Sequence, residues 1–229
     1  LRREAPEGEV MVVISNMRMV TEKGLVRWLE AVRRADVKHW MVVALDKELR
    51  DYCVSNNVPH FFRPIIIPKS QSKAYSSHAI SAMKYEILTE FVQLGWSVLL
   101  SDVDVVTIKN PWDHLYRDSD VEGMSDGWDD KTAVGEIYGI EDPSMGWSRY
   151  AQGYRLMALN SGLFYIRANE RVLNLLRLMI DRLTISSDWD QSVYNRYIWT
   201  PSHGKYRAPQ VSVRIMEPGE FMNSKTLFK

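Results

Sequence analysis

The stretch Val98-Leu99-Leu100-Ser101-Asp102-Val103-Asp104-Val105-Val106 decides how this chain is read. It is short, apolar and β-branched, and Gly95 separates it from a helical stretch, so a buried strand is expected. Along an extended chain residues i and i+2 face the same side, which aims Asp102 and Asp104 at one place. Two carboxylates so aligned repel unless a shared proton or a cation lies between them. Mg²⁺ and Mn²⁺ take such oxygen ligands and share them with substrate phosphates. The Asp-x-Asp therefore points to a nucleotide-diphosphate substrate held through Mn²⁺ or Mg²⁺, or else to an acidic pair that merely caps the next turn.

Composition narrows the class. At 229 residues the chain suits one large α/β domain or two small ones. Lys+Arg and Asp+Glu both number 29, which leaves no basic footprint for nucleic acid. A hydrophobic share of 45% excludes disorder. No apolar run approaches the roughly 18–20 residues of a membrane span, and no signal pattern opens the chain. Cys53 is the one cysteine, which excludes an internal disulfide and a cysteine-rich zinc site. The chain starts at Leu1 rather than Met and is expected to be a piece of a longer protein, with any membrane anchor outside it. With no repeat or linker in view, residues 1–229 are expected to form a single domain.

Working outward, strands alternate with helical periods, the pattern of a mostly parallel sheet. Expected strands are Val10–Ile14, Trp40–Leu45, a short edge strand Pro64–Pro68, Val121–Ser125 and Leu163–Ile166. Expected helices run over about 22–34, 47–56, 75–94 and 171–183, with a last one from the Ser187–Gln191 segment to about Tyr197. In open parallel sheets ligands bind beyond the carboxyl ends of the strands, where Asn16, Asp46, Asp102 and Asp104 would gather.

Within the helix of 75–94, Ile80, Met83, Ile87, Leu88 and Phe91 define the buried stripe, and Lys84 falls inside it. A lysine there takes a phosphate or the Asp pair as partner, or packs its stem and snorkels. The acidic, glycine-containing run Asp118–Asp130 reads as a solvated loop in most of its members, with Asp126 singled out as a reader of sugar hydroxyls. Asn160-Ser161-Gly162 either faces the same mouth or forms an Asx turn. Ser187 with Asp190 three residues on matches a capping box, and the carboxylate of Asp190 and the amide of Gln191 would be rigidly presented in a first helical turn.

The block from Leu99 to Val106, with His114-Leu115-Tyr116-Arg117-Asp118-Ser119-Asp120-Val121-Glu122-Gly123-Met124-Ser125-Asp126-Gly127, resembles the plant and algal arabinosyltransferases of glycosyltransferase family 77. Met145-Gly146-Trp147, Asn160-Ser161-Gly162, Trp189-Asp190-Gln191 and Phe221-Met222-Asn223-Ser224-Lys225 look like further motifs of that family. The resemblance implies an α/β GT-A-like fold, a mostly parallel central sheet flanked by helices, and retention of anomeric configuration. It implies metal-dependent use of a UDP-sugar, here UDP-arabinofuranose, and an arabinosylated hydroxyproline-rich glycoprotein as acceptor. By carry-over, Asp102 would contact the nucleotide and Asp104 the metal. Lys84 would meet the donor, and Asn160, Asp190 and Gln191 would flank the sugar. The same likeness implies a lumenal Golgi domain of a type II membrane protein. A His-bearing segment that the family carries after Phe-Met-Asn-Ser-Lys is missing before Lys229, so a catalytic domain cut short at its C-terminus is expected; His203 stands outside that motif.

Three other readings compete. Asp-x-Asp followed by Val also fits the nucleophile strand of haloacid-dehalogenase-like phosphatases, although that strand normally opens the fold. Eight tryptophans would suit a non-catalytic carbohydrate-binding domain, which has no need of the Asp pair. A catalytically dead scaffold is the third.

Overall fold

The computed structural model of the chain describes residues 1–65, 76–127, 136–138, 154–156, 158–198 and 210–227. Nine strands appear among them: β1 (Glu9–Ser15), β2 (Trp40–Ala44), β3 (His60–Phe62), β4 (Ser97–Ser101), β5 (Val121–Ser125), β6 (Glu136–Tyr138), β7 (Tyr154–Leu156), β8 (Leu159–Ile166) and β9 (Val213–Ile215). The helices are α1 (Met17–Thr21), α2 (Gly24–Arg34), α3 (Lys47–Ser55), α4 (Ser76–Gln93), α5 (Glu170–Ile185), α6 (Asp190–Ile198) and α7 (Ser224–Leu227). Seven strands make one sheet in the order β3-β2-β1-β4-β8-β5-β9, while β6 and β7 pair separately. All neighbours in the large sheet are parallel except β8, which runs against β4 and β5.

Period-two alternation divides the core between the two faces. Val10, Val12, Val98, Leu100 and Phe164 point to the side covered by α4, α5 and α6, where they meet Leu88, Leu176 and Tyr194. Met11, Val13, Leu99 and Tyr165 point to the other side, against Leu25, Trp28 and Leu29 of α2 and Leu49 of α3. A sheet with helices on both faces needs strands that are apolar throughout, and β1 and β4 satisfy that almost completely.

Several boundaries differ from the expected ones, each for a reason of pairing. β4 ends at Ser101, because its ladder to β1 stops at Leu100 and its ladder to β8 at Ser101. After one further bond, from the Asp102 amide to Gly162 O at 2.6 Å, the chain turns, and the Val105 amide donates back to Asp102 O at 3.2 Å. Asp102 and Asp104 thus stand on a turn, not on successive pleats of a strand. The edge strand is His60–Phe62, ahead of the prolines. The Arg63 and Ile65 amides still bond to Ala44 O and Leu45 O, but the chain there is not strand, and residues 66–68 lie outside the described residues. The helix expected over about 22–34 is α2, and a short helix not anticipated, α1, precedes it, the two separated where Lys23 takes a left-handed φ of 62°. β8 starts at Leu159, so Asn160-Ser161-Gly162 belongs to the strand.

Candidate active site

A cavity of about 640 Å³ opens beyond the carboxyl end of β4, bordered by Lys84 of α4, by Asp102 and Asp104 of the turn after β4, and by Asp126 after β5. Asn160, Ser161 and Gly162 of β8, Asp190 and Gln191 at the start of α6, and the segment Gly219–Ser224 complete its wall. Of the anticipated residues, the structure brings together Lys84, Asp102, Asp104, Asp126, Asn160, Asp190 and Gln191. Asn16 is not among them. It is the N-cap residue of α1, outside the cavity wall, with its Oδ1 buried and unbonded among the described residues. Asp46 is structural as well, accepting from the Met17 amide (2.9 Å) and capping α3 at the Leu49 amide (2.7 Å).

Lys84 does not snorkel. It is 4% exposed, and its partner is neither Asp102 nor Asp104 but Asp190, whose Oδ2 lies 2.6 Å from Nζ. The same ammonium donates to Ser161 O at 2.9 Å and Ser161 Oγ at 3.3 Å, which occupies all three of its protons. Ser161 Oγ in turn donates to Asp190 Oδ2 at 3.1 Å. Asp190 is therefore no partner of Ser187 in a capping box: α6 begins at Asp190 itself, and the carboxylate turns inward to the lysine. A buried lysine stabilises a buried carboxylate where helix N-terminal charge alone would be a weak reason to bury it.

A second network fixes the amides. Asp126 accepts from Asn160 Nδ2 at 3.1 Å, Lys225 Nζ at 2.8 Å and, at the long limit, Gln191 Nε2 at 3.4 Å. Asn160 Oδ1 then accepts from the Gly162 amide (2.7 Å), the Asx bond weighed from the sequence, here formed inside a strand. Gln191 Oε1 accepts from the Ser161 amide at 3.3 Å. Asp126 is thus engaged by protein groups where a sugar reader was expected. Lys225 and Ser161 were not singled out beforehand, though both stand inside quoted motifs. Asn223 of the same motif sews the C-terminal segment to β5 through Ser125 O (2.9 Å) and Gly127 O (2.5 Å).

The Asp pair has the opposite character. Among the described residues no protein donor reaches the side chain of Asp102 or Asp104. Burial pushes the Asp102 carboxyl above its usual range; Lys84 opposes this, and Asp104 and Asp190 add to it. Its surroundings are close, since a Cβ on Gly162 would lie 2.9 Å from Asp102 Oδ2 and 2.9 Å from Asn160 Oδ1. Two undonated carboxylates, one of them desolvated, fit a hard divalent cation that completes its shell with substrate oxygens. The described residues hold no cluster of three or more His, Cys, Asp or Glu placed for a metal.

Among its described residues the acidic run is mostly buried and in large part strand where a solvated loop was expected, with Asp118 exposed. Asp120 and Glu122 are buried. Burial works to raise Asp120, but hydrogen bonds from Arg171, the Ser212 amide and Asn169 outweigh it and bring the carboxyl down to about 2. Glu122 accepts from the Tyr116 and Arg117 amides, and burial holds its carboxyl above the ordinary range. Asp118 pairs with Arg214. These groups tie β5 to its surroundings. Asp129, Asp130, Met145-Gly146-Trp147 and His203 lie outside the described residues.

Comparison with known proteins shows the family and the fold. Residues 35–229 match the family described as nucleotide-diphospho-sugar transferase. The chain is 42% identical to "Arabinosyltransferase RRA2" and 41% to "Arabinosyltransferase RRA1", both of Arabidopsis thaliana, along all of its own length and 53% and 57% of theirs. It therefore spans about half the length of these curated relatives. A third protein of that plant, "Beta-arabinofuranosyltransferase RAY1", is 33% identical over 95 residues, 38% of this chain and 17% of that protein. Among solved structures, galactosyltransferase LgtC in complex with donor and acceptor sugar analogues superposes with a TM-score of 0.53 at 11% identity. An active-site mutant of the same enzyme gives 0.55 at 12%, and each match covers 92% of this chain and 73% of the other. At such identities the likeness is one of fold, and the fold is GT-A.

Proposed function

The chain belongs to the nucleotide-diphospho-sugar transferase family, and from that premise we propose that it carries the catalytic site of a retaining, metal-dependent arabinosyltransferase. The donor is UDP-arabinofuranose, and the acceptor is the glycan of an arabinosylated hydroxyproline-rich glycoprotein. One observation carries the reading: the undonated pair Asp102/Asp104 and the lysine-held Asp190 with Gln191 border one cavity at the carboxyl end of β4. The names of the Arabidopsis relatives support arabinose as the sugar.

Asp102 and Asp104 are the residues that would hold Mn²⁺ or Mg²⁺. Bound there, the ion would supply charge neutralisation to the diphosphate leaving group. The chain's own groups do the rest. Retention requires either a nucleophile on the sugar face opposite the leaving group or a site that stabilises an oxocarbenium ion while the acceptor enters from the leaving-group side. Asp190 serves either course. Its Oδ2 is engaged by Lys84 and Ser161, while Oδ1 receives no hydrogen bond from a described residue. Gln191 and Asn160, their amides oriented by Asp126 and the β8 backbone, position the sugar. With its three protons engaged, Lys84 acts on the donor through Asp190.

No helix among the described residues is long and apolar enough to cross a membrane. A lumenal Golgi location, with the anchor outside this chain, belongs to the same proposal. The test is a transfer assay on the full-length protein with UDP-arabinofuranose and a hydroxyproline-linked arabinoside, read as a gain of one pentose by mass spectrometry. Asp190→Asn should abolish turnover and Gln191→Ala should reduce it far less. No pentose gain with the wild-type protein refutes the proposal, and near-normal turnover of Asp190→Asn removes that residue from the chemistry.

A further inference from the structure

Four of the five described tryptophans have partnered rings. The indole N–H of Trp28 donates to Ser101 Oγ (2.9 Å), that of Trp96 to Ala5 O (2.7 Å) and that of Trp112 to Lys38 O (3.0 Å). Trp40 packs edge-on against Trp28, ring centroids 5.8 Å apart. Trp189 accepts the Val193 amide at its backbone carbonyl (3.1 Å), but among the described residues its indole alone of the tryptophan rings has neither a hydrogen bond nor a ring contact. It stands 50% exposed on the wall of the cavity, which the exposed Val106, Ile108 and Met222 also line. Elsewhere on the same wall His114 and Lys109 face Glu220 at 3.4 and 3.9 Å.

A large exposed indole in an active-site wall is costly to leave in water and has a use when a ligand covers it. The ligand has to satisfy an apolar face and a charged, hydrogen-bonding arc together. A saccharide ring does so, with its C–H face against an indole and its hydroxyl edge free for carboxylate, imidazole and ammonium. A lipid chain or an apolar helix would cover Trp189 but strip water from the arc without replacing its hydrogen bonds. Position agrees with this. Trp189 directly precedes Asp190, so their Cα atoms are about 3.8 Å apart, and an acceptor hydroxyl must come within about 3–3.5 Å of the reacting carbon. A ring on Trp189 is near enough to present one.

We propose that Trp189 is the stacking platform of the acceptor subsite, taking a sugar ring of the acceptor glycan against its indole face. This rests on the reading of the cavity as a glycosyl-transfer site. The test compares wild-type full-length protein with Trp189→Ala and Trp189→Phe. Hydroxyproline-linked arabinosides are the probe, and acceptor KM and donor KM are each measured with the other substrate saturating. Trp189→Ala should raise acceptor KM about tenfold and leave donor KM within about twofold, while Trp189→Phe recovers most of the loss. Calorimetric titration of the same arabinosides without donor should rank the three proteins in the same order. That measurement needs no turnover, so a failure of the proposed reaction is told apart from a failure of the subsite. Arabinoside binding that is absent from the wild type or equal in Trp189→Ala overturns the proposal, as does an equal rise in both KM values.

Discussion

Replacing Lys84 by Met tests the centre of the site most directly. Met keeps most of the lysine stem in contact with its neighbours, so cavity formation contributes little. What is lost is the ammonium 2.6 Å from Asp190 Oδ2, in a pair whose side chains are each 5% exposed. Asp190 would then retain Ser161 Oγ as its side-chain partner. Breaking a buried ion pair from one side costs about 3–5 kcal/mol, because the remaining charge is desolvated and uncompensated. In a chain of this size that corresponds to a fall in Tm of roughly 10 °C. The loss also removes the one nearby charge that opposes the upward push on Asp102. Removing both charges, in Lys84→Met with Asp190→Leu, should return stability to within about 2 kcal/mol of wild type, since apolar replacement of a buried pair is often neutral or better. Urea unfolding followed by circular dichroism gives both numbers. Should Lys84→Met unfold within about 1 kcal/mol of wild type and instead lose only donor affinity, the lysine is a direct donor ligand and the reasoning from its saturated protons is wrong.

Three further outcomes are expected. Asp102→Asn and Asp104→Asn should each reduce UDP binding in Mn²⁺ to the level seen with a chelator; Asp102→Asn should hold or raise Tm, because burial disfavours its charged form. Equal UDP affinity with and without Mn²⁺ in the wild type would sink the cation assignment. Gly162→Ala places a methyl 2.9 Å from Asp102 Oδ2 and Asn160 Oδ1, so turnover should collapse at a stability cost of about 1–3 kcal/mol; unimpaired turnover would show that the turn after β4 yields freely. Asp120, held down to about 2, contributes stability that is complete above its unfolded value near 4 and disappears as the pH falls through about 2. Asp120→Asn should therefore flatten the acid limb of the urea midpoint against pH, and an unchanged limb assigns acid unfolding to other carboxylates.

What the sequence made legible was what depends on local periodicity. β1 and β2 were readable from their apolar runs, β5 from the alternation of Val121–Ser125, and α5 from its stripe of Val172, Leu175, Leu176, Met179 and Leu183. The errors fall where a distant partner decides. Residues 102–106 have the same β-branched character as β4 but no neighbouring strand, so they turn. Asn160-Ser161-Gly162 looks like a loop, yet β8 runs through it: the ladders flank it at Leu159 and Leu163, Gly162 O accepts from the Asp102 amide, and the Ser161 amide donates to Gln191. Asp120 and Glu122 sit in a polar, acidic run, and it is Arg171, Asn169, Ser212 and the Tyr116–Arg117 backbone, placed by the fold, that make their burial tolerable.

The site divides along the same line. That Lys84 is buried follows from its place on the helix; that its partner is Asp190 depends on α6 packing beside α4 and β8, which no spacing encodes. The same packing gives the two acidic groups opposite tasks. Asp190 is bonded by Lys84 and Ser161, which would keep it fixed in the proposed transfer. Asp102 and Asp104 lack protein donors among the described residues and so remain open to a charge that arrives with the substrate. Exchange of these environments would defeat both proposed roles: a lysine at the Asp pair would compete with a cation, and an unpaired Asp190 would be expensive to keep ionised where it is buried. Carboxylate chemistry in this cavity is thus set by which acid the fold neutralises internally and which it leaves for the ligand.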